Sequence, residues 1–326
     1  MNHPLAEASL ACLGGGHGLY QTLSAAKLAE PASITGIVTV ADDGGSSGRL
    51  RKELGQIPPG DLRMALAALA DTTDPDSALW ARALQHRFGG NGALAGHAVG
   101  NLMLAGLTEL LGREQAALDT VARLTRSAGR VVPMSSQPLD IEADVTGLDD
   151  DPRIVRTVRG QVAVATTPGT VRRVRLIPDH PPANPDAVAA IRSADLVTIG
   201  PGSWFSSVIP HLLVPGIADA INSSSALRVV VLNLSAEMGE TTGFSHERHI
   251  HMLAQHAPTL KVDRVLVDAS VLSNAGEREF LNKAVAQLGG VVVYDDVQGV
   301  DADGQPCAVH DAAKLSAALG RVYAAG

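Results

Sequence analysis

Apolar and polar residues come in blocks along the first third of the chain. A short apolar run at 9–13 gives way to Gly14-Gly15-Gly16-His17-Gly18. From 19 to 29 apolar residues recur at helical spacing, with Leu19, Leu23, Ala26 and Leu28 available to one face. A second apolar run at 34–40 reads as a buried strand. Pro58-Pro59-Gly60 introduces a helix over 61–70 with Asp61 as its cap, and 102–111 has the spacing of another. Strand, helix, strand, helix in that order predicts a parallel sheet with helices on both faces.

The middle differs. Between 129 and 178 the apolar residues fall into short runs, 131–134, 139–145, 158–164 and 171–177, separated by prolines and glycines. They read as small antiparallel strands, a β insertion within a single domain spanning 1–326. Asp149-Asp150-Asp151-Pro152 reads as a solvated turn. The α/β pattern then resumes: a helix at 187–193, strands at 196–199, 229–232, 265–267 and 291–294, and a last helix over 312–324.

Composition narrows the class. At 326 residues, 45% hydrophobic and 18% charged, the chain has material for a sizeable core and lacks the charge excess of disorder. Aromatics are only 3%, so the expected core is alanine-rich helices packed tightly on a sheet. The formal net charge is −8 and the arginines are scattered, which argues against a nucleic-acid face or a membrane-surface patch. An anionic ligand must then be held locally, by backbone donors and a few arginines. The two cysteines, Cys12 and Cys307, suggest no disulfide framework. With no membrane-length apolar run and no leader pattern, the expected location is the cytoplasm.

Candidate chemistry collects where strands end. The run 34–40 empties into Ala41-Asp42-Asp43-Gly44-Gly45-Ser46-Ser47-Gly48-Arg49. Small residues and backbone N–H groups after a buried strand make a seat for a phosphorylated ligand. Adjacent buried acids repel, so Asp42 and Asp43 call for hydroxyl donors, Arg49 or a divalent cation. Gly14 to Gly18 is an approximate dinucleotide fingerprint with Leu19 at the third glycine position. Gly200-Pro201-Gly202-Ser203 repeats the strand-to-turn logic, and two such turns on one sheet suggest a shared crevice at a topological switch point. Asn233 with Glu237-Met238-Gly239-Glu240-Thr241 is a third polar strand end. Pro58 to Arg63 is either a plain helix start, with Arg63 facing solvent, or a ligand contact through Asp61 and Arg63. His97 and Asn101, four apart, share a helix face; they either line a pocket or satisfy buried groups. Trp204 and Phe205 read as core. His246, His249 and His251 do not share one helical face and read as a surface helix. No Ser-His-Asp or Cys-His arrangement is legible from spacing.

Taken together, Gly14 to Leu19, Thr39 to Arg51, Pro58 to Arg63, Gly96-His97-Ala98-Val99-Gly100-Asn101, Gly200 to Ser203 and Gly239-Glu240-Thr241 resemble the gluconeogenesis factor (YvcK-like) family, part of the CofD-like superfamily with 2-phospho-L-lactate transferase. The resemblance implies a Rossmann-like three-layer α/β/α fold. It also implies binding of UDP-N-acetylglucosamine and a cytoplasmic role in cell shape and cell-wall precursor supply during gluconeogenic growth. The transferase branch carries an Asn-Thr-Gly-Asp-Asp strand end and a Ser-Pro-Asp-x-Asp-Thr helix start. Val40-Ala41-Asp42-Asp43 and Pro58 to Arg63 depart from both, favouring the sugar-nucleotide branch. Relatives often place a threonine, a plausible phosphoacceptor, after a His-Asp pair near the C-terminus; here the run is His310-Asp311-Ala312.

The leading expectation is a binding and regulatory protein that needs no cofactor and works as a homodimer with a protein partner. Backbone donors with Ser46, Ser47 and Ser203 would hold diphosphate and sugar. Arg49 or Arg63 would neutralise charge, and Asp42 or Asp43 would accept from hydroxyls. A second reading is a transferase in which Asp42 and Asp43 hold Mg²⁺. A third, carried by Gly14 to Gly18 alone, is a dinucleotide-dependent oxidoreductase.

Overall fold

The computed structural model describes residues 3–151, 153–237, 240–272 and 274–326. Its strands in chain order are β1 (Ser9–Gly14), β2 (Ser33–Val38), β3 (Arg130–Pro133), β4 (Asp140–Thr146), β5 (Val155–Arg159), β6 (Thr170–Ile177), β7 (Leu196–Ile199), β8 (Leu227–Val231), β9 (Arg264–Asp268), β10 (Val291–Asp295), β11 (Gln298–Val300) and β12 (Pro306–His310).

Seven of these form one sheet in the order β10-β9-β8-β7-β1-β2-β3. Every neighbouring pair in it runs parallel. The central strands are continuous apolar runs, as strands covered on both faces must be. Leu10 to Leu13, Leu196, Val197 and Ile199, and Val229 to Val231 are all at most 2% exposed. Helices flank the sheet and make the α/β Rossmann-like arrangement. The chain winds outward from β1 through β2 to β3. It then returns across β1 to β7 and winds the other way to β10. The reversal lies between β1 and β7, the place where ligands settle in open α/β sheets, beyond the carboxyl ends of the strands.

The sequence reading needs correction in the middle of the chain. The run at 131–134 does not join an antiparallel insertion; β3 pairs in parallel with β2 at the edge of the main sheet. The antiparallel sheet is β5-β4-β6 and begins at Asp140. The run at 158–164 is not one strand either. Gly160, at φ 99°, breaks the extended chain, and a short helix follows at Gln161–Ala165. The segment after Asp43, expected as a loop, is the helix Gly45–Leu54, closed at its C-terminus by Gly55 in the left-handed conformation. The β11–β12 hairpin had no counterpart in the sequence reading. Among the described residues no single helix is long and apolar enough to cross a membrane.

Candidate functional site

The turn after β1 is built by what a side chain would strike. A Cβ on Gly15 would lie 2.5 Å from Asp61 Oδ2 and 2.6 Å from Thr39 Cγ2; one on Gly18 would lie 2.2 Å from the Pro201 carbonyl oxygen. One end of the turn therefore rests on Asp61 and the other on the turn after β7. Gly16, at φ 54°, starts the helix Gly16–Leu28. Asn233, just past β8, braces the β7 turn with both ends of its amide. Its Oδ1 accepts from the Gly202 N–H at 2.8 Å, and its Nδ2 donates to the Gly202 carbonyl at 2.9 Å.

Beyond β2 the chain reaches Asp42, whose Oδ1 accepts the Gly44 N–H at 2.9 Å. The first turn of the helix Gly45–Leu54 buries Ser46 and Ser47, each 3% exposed. A chain of hydrogen bonds runs inward from them. Arg63 Nε donates to Asn101 Oδ1 (2.9 Å), which orients the amide so that Nδ2 donates to Ser46 Oγ (3.0 Å). Ser46 Oγ is also 2.9 Å from His97 Nδ1. With Asn101 donating to it, the serine oxygen keeps one O–H and one lone pair, and the imidazole tautomer sets which of them meets His97 Nδ1. Gly100 makes room: a Cβ there would meet Arg63 Cγ at 2.8 Å. Arg63 is 3% exposed, and its Nη1 has no hydrogen-bond partner among the described residues. Helix-start geometry alone would have left it in solvent.

Charge is strained here. Burial raises the pKa of Asp42, against the pull of the Gly44 N–H and the Ser47 hydroxyl. Burial and then the neighbouring Asp42 push Asp61 up to about 7, opposed by the Gly16 N–H and Arg63. Burial and Arg87 bring Arg63 down to about 10, while Asp61 and Asp42 hold it charged. Two carboxyl groups and one guanidinium thus share a poorly solvated corner. The carboxyls can accept from ligand hydroxyls, and the free guanidinium nitrogen can donate to an anion.

Other expected residues are placed differently. Asp43 Oδ1 accepts the Val162 N–H at 2.9 Å and fastens the Gln161–Ala165 helix, while its charge still adds to the rise in the Asp42 pKa. Arg49 is exposed and donates to the Ala95 carbonyl at 2.8 Å and the Ala93 carbonyl at 3.5 Å, stapling a loop. Glu240 accepts the Phe205 N–H at 3.0 Å, and burial pushes its pKa up to about 7. The Thr241 hydroxyl accepts the Glu237 N–H at 2.9 Å. Both shape the turn after β7 from behind. Ser203 bonds the side chain of Glu237, whose pKa burial raises. Met238 and Gly239 lie outside the described residues.

The surface-helix reading of the histidines fails for His249, which is 3% exposed. Its ring meets Trp204 edge-on at 5.0 Å, and Trp204 Nε1 donates to its carbonyl. Trp204 and Phe205 are core, as expected. Among the described residues no group of three His, Cys, Asp or Glu side chains could hold a metal.

A cavity of about 260 Å³ opens over the β1–β7 reversal, with His17, Gly18, Pro201, Gly202 and Asn233 on one side. Its other walls include Glu237, from the third polar strand end marked in the sequence, and Gln21 and His310, which were missed as site residues. Only the Gln21 position, one turn beyond Gly18 on the same helix, offered a signal.

A family model described as 2-phospho-L-lactate transferase CofD matches residues 10–310. The chain belongs to the CofD family. Every turn described above falls inside that span. Within the CofD family its relatives are gluconeogenesis factors. A putative gluconeogenesis factor of Mycobacterium tuberculosis is 58% identical over 315 residues, 97% of this chain and 90% of that protein. The gluconeogenesis factor of Bacillus subtilis is 36% identical over 271 residues, 83% of this chain and 82% of that one. The crystal structure of a UPF0052-family protein from Bacillus halodurans superposes with a TM-score of 0.82 at 35% identity, covering 95% of this chain and 98% of that one. This CofD-family fold is therefore shared over nearly the whole chain.

Proposed function

We propose that this CofD-family chain is a cytoplasmic regulatory protein of the gluconeogenesis-factor kind that binds a sugar nucleotide, UDP-N-acetylglucosamine, and so balances cell-wall precursors and cell shape during gluconeogenic growth. One observation carries the reading. The glycine turns after β1 and β7 touch at the sheet reversal, and the same β1 turn rests on Asp61 beside Asp42 and Arg63. Backbone donors at a helix N-terminus suit a diphosphate, and the half-buried carboxyl groups next to them suit sugar hydroxyls. Arg63, whose Nη1 has no hydrogen-bond partner among the described residues, supplies the positive charge; Arg49 is spent on the loop. Ligand binding shifts the protein toward a form that a partner protein recognises, with a homodimer as the working unit. Titration calorimetry with UDP-N-acetylglucosamine tests the reading; absence of heat at millimolar ligand overturns it.

A second reading, transfer of a phosphate-linked group, is favoured by the Ser46–His97 contact beside two carboxyls whose ionisation is resisted. A cation would relieve that resistance. Asp42, with Asp61 or Asp43 beside it, would hold Mg²⁺, which binds through one or two carboxylates and keeps its remaining positions for water and phosphate. Bound there, it would neutralise phosphate charge. Incubation with nucleotide donors and Mg²⁺, followed by mass spectrometry, decides it; donors recovered unchanged remove the reading.

A further inference from the structure

The cavity over the sheet reversal has a wall that no glycine turn supplies. After β10 the chain leaves the main sheet as the β11–β12 hairpin, with Gln298 opposite His310 and Val300 opposite Pro306. The base of the hairpin is fixed. Asp268 Oδ2 accepts the N–H groups of Val297 (2.8 Å) and Gln298 (2.7 Å), and Lys314 Nζ donates to the Gln298 carbonyl (2.9 Å). Gln21 Oε1 accepts the His310 N–H at 2.9 Å. That bond comes from the helix whose first turn borders the cavity, so the hairpin and the glycine turn are fastened to each other.

The two ends of the site differ in kind. The Asp42–Arg63 end gathers two carboxyl groups, a guanidinium and the Ser47 hydroxyl. The cavity over the reversal presents Pro201 and Gly202 together with Ala308 and Val309. Val309 is 46% exposed, an apolar side chain left uncovered at the mouth. Polar groups also line it: His17, Gln21, Asn233, Ser235, Glu237 and His310. His310 is 6% exposed, and its Nε2 has no hydrogen-bond partner among the described residues. Burial lowers its pKa to about 4, so the ring is neutral at pH 7, although the nearby Leu232 carbonyl pulls the other way. At about 260 Å³ the cavity falls below the roughly 300–1,000 Å³ that encloses a whole drug-sized molecule. It has room for one end of a nucleotide sugar. Apolar surface with a few polar groups is what a flat heterocycle needs; a polyhydroxylated ring needs the other end.

We infer that the cavity between the β11–β12 hairpin and the Pro201–Gly202 turn seats the heterocycle of a nucleotide, that the diphosphate crosses the Gly15–Gly18 turn, and that the sugar lies against Asp42, Asp61 and Arg63. This rests on the sugar-nucleotide reading of the same site and adds its polarity. It makes Val309 the cover of the base.

Calorimetry with UDP and with UDP-N-acetylglucosamine tests it, on the wild type and on Val309→Lys and Asp42→Asn. Val309→Lys weakens both ligands at least about tenfold, because both share the heterocycle. Asp42→Asn weakens UDP-N-acetylglucosamine and leaves UDP within about twofold. Unchanged binding in Val309→Lys, or equal loss of both ligands in Asp42→Asn, overturns the polarity while the sugar-nucleotide reading stands. Failure of the wild type to bind either ligand removes both. A second measurement needs no variant: in valine-methyl-labelled protein, UDP shifts the Val309 methyl resonances, and an unmoved Val309 refutes the assignment.

Discussion

Gly18 and Pro201 meet where the sheet reverses. A β-carbon on residue 18 would lie 2.2 Å from the Pro201 carbonyl oxygen and 2.7 Å from the Gly202 α-carbon. Both obstacles are backbone, so neither can swing aside. The two turns that border the cavity are in contact only because residue 18 has no side chain. Gly18→Ala should separate them, lowering stability by about 1–3 kcal/mol as overpacking does and weakening UDP-N-acetylglucosamine by more than tenfold. Thermal melts with calorimetry check this; wild-type values for both would show that the contact is dispensable.

Arg63 and Arg49 should part company on mutation. Arg63→Met keeps the bulk and leaves Asn101 Oδ1 without its 2.9 Å donor in a buried setting. The expected cost is about 1–3 kcal/mol, together with loss of nucleotide-sugar binding. Arg49→Ala removes exposed bonds to two loop carbonyls and should cost under about 1 kcal/mol, with affinity retained. Urea titrations and calorimetry on the pair decide it. Equal affinity loss in both variants would return the anion-binding role to Arg49.

Stability should depend on pH through opposing groups. Asp61 and Glu240 have folded pKa values of about 7, above the ~4 of an unfolded chain. The contribution of each is complete below pH ~4 and is lost as pH rises through about 7. His211, His249 and His310 are held at about 4, below the usual ~6.5. Theirs is complete above pH ~6.5 and is lost as pH falls toward 4. Asp61→Asn should therefore gain on the wild type between pH ~4 and ~7, by at most about 1.4 kcal/mol per pH unit. Denaturant unfolding across that range measures the slope; a constant difference between the two proteins would mean that Asp61 does not titrate there.

Asn233→Ala cuts both bonds to Gly202. The turn after β7 should loosen, with faster hydrogen exchange at the Gly202 amide and a loss of about 1–3 kcal/mol. Exchange at Gly202 as slow as in the wild type would show that the turn is held by its contact with Gly18 alone.

Much of this protein was legible from local pattern. Apolar runs marked β1, β2, β7, β8 and β9, because a parallel strand buried on both faces is largely apolar, and marked the edge strand β10 although its Val291 is 60% exposed. Glycine and proline after β1, β2 and β7 marked the turns, because those backbones approach neighbours too closely for side chains. What a residue faces across space was not legible. β3 joined the parallel edge because its register is set by β2, more than ninety positions earlier. The residues after Asp43 formed a helix where small side chains suggested a loop. Asp42 gained Asp61 as a second carboxyl neighbour, and Asp43, beside it in sequence, spent an oxygen on the Val162 N–H. His97, Ser46, Asn101 and Arg63 became one hydrogen-bonded chain across three helices and the segment before Val99, where His97 lies outside the helix face it was expected to share with Asn101. Sequence by itself determined which elements form and where they end, since propensity and periodicity act within a few residues. Only the tertiary structure decided which polar groups lose water together, because desolvation and hydrogen bonding depend on distance in space.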